Sequence, residues 1–407
     1  MKESTACPAV LHIAPVAVLP SGVVEVLTGL TQELLRRGCE VGILASTPWH
    51  PDTKERFTAM GAACYGGAEG GGWRQMLARP RLSTLVGDLL RYDVVHLHNV
   101  WVPGNAALVG PLRQSGLPYL VSPHGGLMPA ALHHHAWRKR LFLSTVLRNL
   151  IPQAALIHAL NSAEEQAIAS VYPGVPTRVL PSGVPPLLLE SAERVKQEKI
   201  DHEAWAAGDL DPCRLRLLYL GRLDVRYKGL DVLLQAVDLC RAPLAASGAR
   251  LVLAGPFNSD ADEQVVRHLM EGMEPLVRLW PPVYGEEKIR LMASCDVFLY
   301  PSRSEGLPVS VLEALALGKP CVVTPGSNMA DVVQRADAGF ASDFSMEALA
   351  EVLVRVARTP LENLRTIGAR GARWARENAT WQVLGEKYED MYREAIARSR
   401  QRRGEVG

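Results

Sequence analysis

Short apolar runs alternate with longer segments of helical periodicity along most of this chain, and this alternation constrains its fold more than any other feature. The strands that we predict in the first half are Ala9–Ile13, Val41–Ala45, Asp93–His98, Tyr119–Ser122 and Leu156–Leu160. A helix is predicted over Val23–Arg37, where Gly38 ends it. Because the strands are nearly continuous in Val, Leu and Ile, both faces of each should be buried. The alternation therefore predicts an α/β protein with parallel sheets.

A second series of strand–helix units follows residues 186–214, a charged stretch that becomes rich in Asp, Pro and Gly. Its predicted elements are the strands Leu215–Leu220, Arg250–Ala254, Val297–Tyr300 and Pro320–Thr324 and helices at Leu230–Leu239 and from Ser310. A chain of 407 residues is long enough for two cores. We predict an N-terminal domain over residues 1–190 and a C-terminal domain over residues 191–378. The tail, residues 379–407, has apolar residues at helical spacing and should pack on another domain.

Composition excludes several classes of protein. A formal net charge of +1 argues against nucleic acid as the main partner. The seven cysteines form no C-x-x-C pair and no zinc-finger spacing, so we expect reduced, mostly buried thiols in a cytoplasmic protein. We recognise no signal peptide, and the apolar runs are too short to span a bilayer. Any membrane contact should be peripheral, at the cytoplasmic face.

Two carboxylates mark the first candidate site. Glu305 lies in the loop that follows the strand Val297–Tyr300, and Glu313 is expected in the first turn of the next helix. Carboxylates eight residues apart can bind hydroxyls at two points of one elongated ligand, and the helix N-terminus suits a phosphate. However, Ser310 and Glu313 also have the spacing of a capping box. Glu305 by itself could be a solvated loop residue.

Two cations mark the second candidate site. Arg222 follows the first strand of the second half, and Lys228 is expected at the start of the following helix. The planar fork of Arg and the point charge of Lys suit the two phosphates of a nucleoside diphosphate. The alternative is a pair of surface cations, one of which pairs with Asp224 or Asp231.

Taken together, these segments resemble the retaining glycosyltransferases of family 4, which have the GT-B fold. The elements that carry the resemblance are Gly221-Arg222, Lys228-Gly229, the Glu-x7-Glu of Glu305 and Glu313, and Pro181-Ser-Gly-Val184. The resemblance extends from about Val10 to the tail helix. It implies two Rossmann-like, doubly wound domains facing a cleft, with the C-terminal helix crossing back to the N-terminal domain. The N-terminal domain would bind the acceptor and the C-terminal domain the nucleotide sugar.

The same resemblance implies roles for particular residues. Arg222 and Lys228 should bind the donor diphosphate, Glu305 should contact hydroxyls of the transferred sugar, and Glu313 should bind the ribose. The backbone expected to approach sugar and phosphates is that of Gly306, Leu307 and Pro308.

Two candidates lie in the N-terminal half. His124 follows the strand Tyr119–Ser122, and the resemblance implies that it lies near the anomeric centre, although a histidine at a strand end could also be structural. Gly22 precedes the first helix, where family members commonly have two glycines that let backbone approach phosphate or acceptor; here Ser21 takes the first position. His96 and His98 are two positions apart on a strand, so their side chains lie on the same face. Both could face the cleft, or both could have a structural role.

The implied reaction needs no metal, because Arg222 and Lys228 would neutralise the leaving diphosphate. We interpret Asp209-x-Asp211, in a linker, and Asp260-x-Asp262, in a polar loop, as chance patterns. His133-His-His135 is interpreted as surface histidines, because consecutive residues of a helix do not share one face. No cofactor is expected beyond the nucleotide-sugar cosubstrate, UDP- or GDP-linked.

The expected function is retaining transfer of a sugar to a hydroxyl of a glycan or lipid-linked glycan, in cell-surface polysaccharide synthesis. The basic segment 136–148 has interleaved apolar residues and could contact anionic lipid, or be an ordinary solvated helix. Two alternatives use the same site: a nucleotide-sugar 2-epimerase, and a catalytically lapsed sugar-nucleotide-binding protein.

Overall fold

The structure, a computed structural model, divides into two compact units. It describes residues 7–16, 22–66, 90–102, 110, 112, 115–133, 136–184, 188, 191, 203–205 and 213–404. The first unit comprises residues 1–183 and 381–407, and the second comprises residues 184–380. Each unit contains one parallel sheet, as the alternation of strands and helices predicts.

The first unit contains a seven-stranded sheet. Its strands are β1 (Val10–Ala14), β2 (Val41–Ala45), β3 (Ala63–Gly66), β4 (Val94–His98), β5 (Tyr119–Ser122), β6 (Leu156–Ala159) and β7 (Thr177–Val179). They are ordered β3-β2-β1-β4-β5-β6-β7, and every pairing is parallel. All residues of β1, β2, β4, β5 and β6 are buried, which explains their apolar sequences. The chain order reverses between β1 and β4, where folds of this kind bind ligands beyond the carboxyl ends of the strands.

Helices surround this sheet in the described part of the first unit. They are α1 (Gly22–Arg36), α2 (Pro51–Ala59), α3 (Pro129–His133), α4 (Ala136–Phe142), a π-helical turn (Leu143–Leu147), α5 (Arg148–Leu150), α6 (Ser162–Val171) and α16 (Trp381–Gly404). Close packing joins α16 to α1: a Cβ placed on Gly29 would lie 2.0 Å from the Trp381 ring. Met391 and Tyr392 of α16 are fully buried. The prediction that the C-terminal helix returns to the N-terminal part of the chain is confirmed.

The second unit contains a six-stranded parallel sheet. Its strands are β8 (Leu215–Leu220), β9 (Ala249–Ala254), β10 (Val277–Trp280), β11 (Val297–Tyr300), β12 (Cys321–Val323) and β13 (Gly339–Ala341), in the order β10-β9-β8-β11-β12-β13. Its helices are a 3-10 turn (Glu203–Trp205), α7 (Val225–Lys228), α8 (Leu230–Leu239), α9 (Arg241–Ala246), α10 (Asp260–Leu269), α11 (Gly285–Ser294), α12 (Val309–Ala316), a 3-10 turn (Pro325–Ser327), α13 (Ala330–Arg335), α14 (Met346–Arg358) and α15 (Leu361–Asn378). The carboxyl ends of β8 and β11, which are neighbours, lead into the two candidate segments.

The prediction that all the cysteines are reduced is wrong. Cys7 and Cys39 are joined by a disulfide, with their Cα atoms 4.8 Å apart, whereas we expected every cysteine to be reduced. The five other cysteines are free. Across the part of the chain that the structure describes, no helix has the length and apolar character needed to cross a membrane.

Candidate active site

An ion pair between Lys228 and Glu305 lies at the carboxyl end of the second sheet. Lys228 Nζ also donates a hydrogen bond to the hydroxyl of Tyr300 at 2.8 Å, and Ser302 Oγ donates to Glu305 Oε1 at 3.0 Å. The side chains of Lys228 and Glu305 are only 13% and 14% exposed, so the pair is held largely out of water. The structure thus brings together one candidate from each of the two segments.

The turn that presents Lys228 differs from the predicted one. Asp224 caps α7, because its Oδ1 accepts a hydrogen bond from the Tyr227 N–H at 2.9 Å. Lys228 ends this one-turn helix, so the expectation that it begins the following helix is wrong. Gly229 separates α7 from α8 with a φ of +67°, and a Cβ there would lie 2.1 Å from the carbonyl oxygen of Pro301. Only glycine suits this contact between the two candidate segments.

The loop that carries Glu305 is fixed by its backbone. The Glu305 N–H donates to the Gly326 carbonyl at 2.9 Å. Asn328 Nδ2 donates to the carbonyls of Glu305 at 2.6 Å and Gly306 at 3.2 Å. Gly306 and Leu307 are half-buried and follow directly. Sequence reasoning missed Asn328, because its left-handed backbone, which suits asparagine, and its contact with this loop are visible only in the structure.

Glu313 is buried and pairs with Lys288, whose Nζ donates to its Oε1 at 2.6 Å. Helix α12 begins at Val309 with Pro308 at its N-cap and has no side-chain cap, so the capping box is not formed. Glu313 therefore lies in the second turn of α12, not the first as expected. One oxygen of its carboxylate contacts the Lys288 cation on α11.

Arg222 is the most exposed of the charged candidate residues in the second unit. Its guanidinium is 56% exposed and its Nε lies 3.8 Å from Asp224 Oδ2. The other proposed carboxylate partner, Asp231, instead forms two hydrogen bonds with Arg303 at 2.6 and 2.8 Å. The cationic group of Arg222 can therefore reach an anionic ligand without breaking a buried ion pair.

In the first unit, His124 follows β5 with a φ of +51°, which is uncommon for a residue other than glycine. Its Nε2 lies 2.9 Å from Nδ1 of His98, and His98 Nε2 lies 3.0 Å from Nδ1 of His12. Burial lowers the pKa of both His12 and His124 to about 3. All three rings are therefore uncharged at neutral pH.

Two further histidines form a second chain of hydrogen bonds. His96 contacts the Tyr392 hydroxyl at 3.0 Å and Ser122 Oγ at 2.6 Å. Ser122 Oγ in turn contacts His158 Nδ1 at 2.6 Å, and His158 Nε2 donates to the Leu180 carbonyl at 2.8 Å. Burial also lowers the pKa of His158, to about 4. His96 and His98 are thus buried members of a hydrogen-bond network. Of the two roles considered for them, facing the cleft or supporting the structure, this arrangement agrees with the second.

A buried carboxylate fixes the turn after His124. Glu164 Oε1 accepts a hydrogen bond from the Gly125 N–H at 2.5 Å, and its Oε2 accepts from the Leu160 N–H at 2.8 Å. Burial raises the pKa of Glu164. Nothing in the sequence pattern singled this residue out, because an acidic residue in a first helical turn is ordinary.

Gly22 is the first residue of α1 and is exposed, and a Cβ placed on it would meet nothing within 4 Å. Ser21 lies outside the described residues, as do Asp209, Asp211, His134 and His135. Asp262 is described: its Oδ1 accepts from the Val225 N–H at 2.8 Å, which ties α10 to the Arg222 turn.

The two units together have the GT-B fold. The solved structure of HepE from Anabaena, in complex with UDP and glucose, superposes with a TM-score of 0.68 at 17% identity, over 94% of this chain and 99% of that one. Residues 20–186 match Glycosyltransferase Family 4, and residues 214–359 match Glycosyl transferases group 1. The chain belongs to glycosyltransferase family 4.

Two curated relatives share parts of the sequence. The D-inositol 3-phosphate glycosyltransferase of Pseudarthrobacter chlorophenolicus is 29% identical over 248 residues, covering 58% of this chain and 54% of the relative. The GDP-mannose:cellobiosyl-diphosphopolyprenol alpha-mannosyltransferase of Xanthomonas campestris is 27% identical over 251 residues, covering 61% of this chain and 60% of the relative. The chain thus spans little more than half the length of these relatives.

Proposed function

We propose that this chain transfers a sugar from a UDP- or GDP-linked donor to a hydroxyl of a glycan or lipid-linked glycan, with retention of anomeric configuration and without a metal. The observation that carries the proposal is the cluster of Lys228, Glu305 and Tyr300, with Arg222 two residues beyond the end of β8. The cluster combines phosphate-binding cations with a carboxylate that suits sugar hydroxyls. This sugar transfer would be a step of cell-surface polysaccharide synthesis.

Donor binding is assigned to the second unit. Lys228 and Arg222 bind the diphosphate, Glu305 and the backbone of Gly306, Leu307 and Pro308 contact the sugar, and Glu313 binds the ribose. Lys228 is already oriented by Tyr300, so little side-chain entropy is lost when it binds phosphate. Lys288 holds one oxygen of the Glu313 carboxylate in place.

The chemistry follows from these charges. The acceptor oxygen attacks the anomeric carbon on the face that the diphosphate leaves, while the bond from that carbon to the phosphate oxygen breaks. The proton of the acceptor hydroxyl passes to an oxygen of the departing diphosphate. Arg222 and Lys228 stabilise the charge that develops there. His124 contacts the transferred sugar, Gly22 lets the α1 backbone approach, and the first unit binds the acceptor.

Nucleotide binding is the first test. A free UDP- or GDP-linked donor at about 100 times its Kd should stabilise the protein by about 2.7 kcal/mol, a rise of several degrees in Tm. The measurement is a thermal-unfolding panel of UDP-, GDP- and ADP-sugars without added metal. Arg222→Ala should reduce the shift, whereas Arg335→Ala, which removes an exposed arginine of the same unit, should keep it. A panel in which no nucleotide raises Tm at millimolar concentration would contradict the proposal and favour a lapsed site.

The need for an acceptor distinguishes the proposed transferase from the alternative, a nucleotide-sugar 2-epimerase. An epimerase converts the donor sugar with no acceptor present, whereas a transferase releases nucleoside diphosphate only when an acceptor takes the sugar. Product analysis of donor incubated alone distinguishes the two.

A lipid-linked acceptor would place the protein at the cytoplasmic face of a membrane, and α4 offers a contact surface. Trp137 and Leu141 are 67% and 58% exposed, one helical turn apart, with the exposed Arg138 and Arg140 beside them. Lys139 instead lies over the ring of Trp101, with its Nζ 4.9 Å from the ring centroid. The outward face thus combines apolar and cationic groups, as interfacial helices do.

We expect the chain to sediment with vesicles containing anionic lipid and not with purely zwitterionic ones. Trp137→Ser with Leu141→Ser should weaken this binding by about 100-fold or more, since each side chain buries apolar area worth about 1.5–3 kcal/mol when fully inserted. Leu361→Ser, at an exposed leucine of the second unit, is the control. Equal sedimentation of all variants would refute the assignment of this surface.

A further inference from the structure

Five histidines of the first unit, four of them buried and His124 half-buried, form two hydrogen-bonded chains, and each chain has a direction. A neutral imidazole carries one proton, so each ring donates from one nitrogen and accepts at the other. The groups at the ends of each chain therefore determine which nitrogen of every ring is protonated. The consequence for His124 goes beyond its proposed contact with the sugar.

The direction of the second chain is set by the Leu180 carbonyl. A carbonyl only accepts, so His158 carries its proton on Nε2 and accepts at Nδ1 from the Ser122 hydroxyl. Because Ser122 donates its only proton to His158, His96 must donate to Ser122 from Nε2. His96 Nδ1 then accepts from the Tyr392 hydroxyl. His96 and His158 are therefore both Nε2–H tautomers.

The direction of the first chain is set by His12. Its ring is fully buried, and its Nε2 has no hydrogen-bond partner among the residues that the structure describes. A buried N–H without an acceptor is costlier and rarer than a lone pair without a donor. The proton of His12 therefore sits on Nδ1, which donates to His98 Nε2. His98 then carries its proton on Nδ1 and donates to His124 Nε2.

His124 ends this first chain. Since its Nε2 accepts from His98, its own proton is on Nδ1. His124 is half-buried, whereas His12 and His98 are fully buried, so His124 is the ring of this chain that a ligand can reach. The structure gives its Nδ1 no hydrogen-bond partner within the described ranges.

We propose that His12 and His98 are positioning residues that fix His124 as an Nδ1–H tautomer, a neutral donor that binds an oxygen of the transferred sugar and cannot act as a general base. The ligand group is thus an acceptor oxygen, either a hydroxyl or the ring oxygen of the sugar. A base would need a free lone pair, and the lone pair of His124 is used by His98. The role of His124 rests on the proposed function, whereas the three tautomers do not.

The low basicity of these rings agrees with the assignment. Burial lowers the pKa of His12, His98 and His124, so none of the three gains a second proton near neutral pH. A second proton on His98 or His12 would break the alternation of donor and acceptor along the chain. The direction of the chain is therefore preserved under the conditions in which an enzyme of this class would work.

The tautomers can be measured directly, without substrate. In the protein labelled with 15N-histidine, long-range 1H–15N correlation spectra separate protonated from unprotonated ring nitrogens. We expect His12, His98 and His124 as Nδ1–H and His96 and His158 as Nε2–H, assigned by single replacements. The Nε2–H form predominates in free neutral histidine, so three Nδ1–H rings are a specific result. His124 found with its proton on Nε2 would overturn the proposal while leaving the proposed function intact.

A pair of variants links the tautomer to turnover. His12→Asn keeps an amide N–H near the position of the Nδ1–H, whereas His12→Leu removes the donor. We expect His12→Asn to retain the Nδ1–H signal of His124, with kcat/KM within about twofold, and His12→Leu to lose that signal, with kcat/KM lower by about tenfold. His158→Gln, an equally buried change in the other chain, should leave the His124 signal unchanged. If His12→Leu lowers Tm as His158→Gln does but keeps the His124 signal, His12 has only a structural role. If the tautomers are as expected but no variant and no wild-type sample transfers sugar, the proposed function fails instead.

Discussion

Replacing Lys228 with methionine is expected to lower kcat/KM for sugar transfer by about 100- to 1000-fold, or about 2.7–4 kcal/mol of transition-state stabilisation. The leaving diphosphate gains negative charge as its bond to the anomeric carbon breaks, and Lys228 lies largely out of water, where a charge interaction is strong. Methionine keeps the length and volume of the side chain while removing its charge. Steady-state kinetics with the donor identified by thermal unfolding measure the loss.

Two comparisons separate this catalytic effect from a loss of structure. Removing Lys228 leaves Glu305 without its cation, so Lys228→Met should also lower the free energy of unfolding. Lys228→Met combined with Glu305→Gln should recover part of that stability, because no charge is then left unpaired, but it should recover no activity. Arg335→Ala should change neither quantity strongly. Turnover that survives both Lys228→Met and Glu305→Gln would show that the active site lies elsewhere.

Lowering the pH from 7 to 5 is expected to unfold the first unit. Each of the five histidines in its two hydrogen-bonded chains has a pKa in the folded state far below the ordinary 6.5. As the pH falls below 6.5, the unfolded chain takes up protons that the folded unit excludes. Stability is therefore fully present above about pH 6.5 and is lost as the pH falls toward the folded values. Each histidine costs about 1.4 kcal/mol per pH unit below about 6.5, so five cost about 10 kcal/mol by pH 5, which is comparable with the about 5–15 kcal/mol of a typical domain.

The groups that face these rings do not cancel this loss. The tyrosines, Tyr388 and Tyr392, have pKa values raised by burial and do not titrate in acid. Glu164, beside the His124 turn, has a raised pKa and so binds its proton more readily in the folded state than in the unfolded state. This difference opposes the loss of stability in acid, but Glu164 is one group and the histidines are five. Acid unfolding should therefore be steep despite Glu164.

Urea unfolding at a series of pH values measures this dependence, and hydrogen exchange assigns it to peptides of each unit. Replacing His158 with glutamine should reduce the slope of unfolding free energy against pH by about 1.4 kcal/mol per unit. His268→Gln is the matched control, because this exposed histidine lies in the second unit and should leave acid unfolding of the first unchanged. A free energy of unfolding that stays constant between pH 7 and 5 would contradict the neutral, buried network.

The strands that sequence reasoning found and those it missed differ in burial. Every predicted strand corresponds to an interior strand of a sheet, such as β2 and β5, whose residues are all buried. The four unpredicted strands, β3, β7, β10 and β13, are the four sheet edges. Edge strands are partly exposed, so their sequences need not be continuously apolar and give a weaker signal.

The candidate site was only partly predictable for a related reason. Lys228 and Glu305 were each visible beside a strand end, and their contact follows from the adjacency of β8 and β11. The partner of Glu313 was not visible, because Lys288 is 25 positions away on another helix. Nine of the eleven histidines precede residue 160, but which of their rings meet depends on the order of the strands in the sheet.

The sequence by itself determined the α/β class, the interior strands, the family and the identity of the candidate donor residues, because these depend on local periodicity and on motifs within short segments. Tertiary structure alone decided which charges and rings touch. His12 and His98 are 86 residues apart, yet they share a hydrogen bond because the chain order reverses between β1 and β4 and places those strands side by side. Periodicity within a segment fixes which side of a strand is buried, but only the order of strands in the sheet fixes what that side meets.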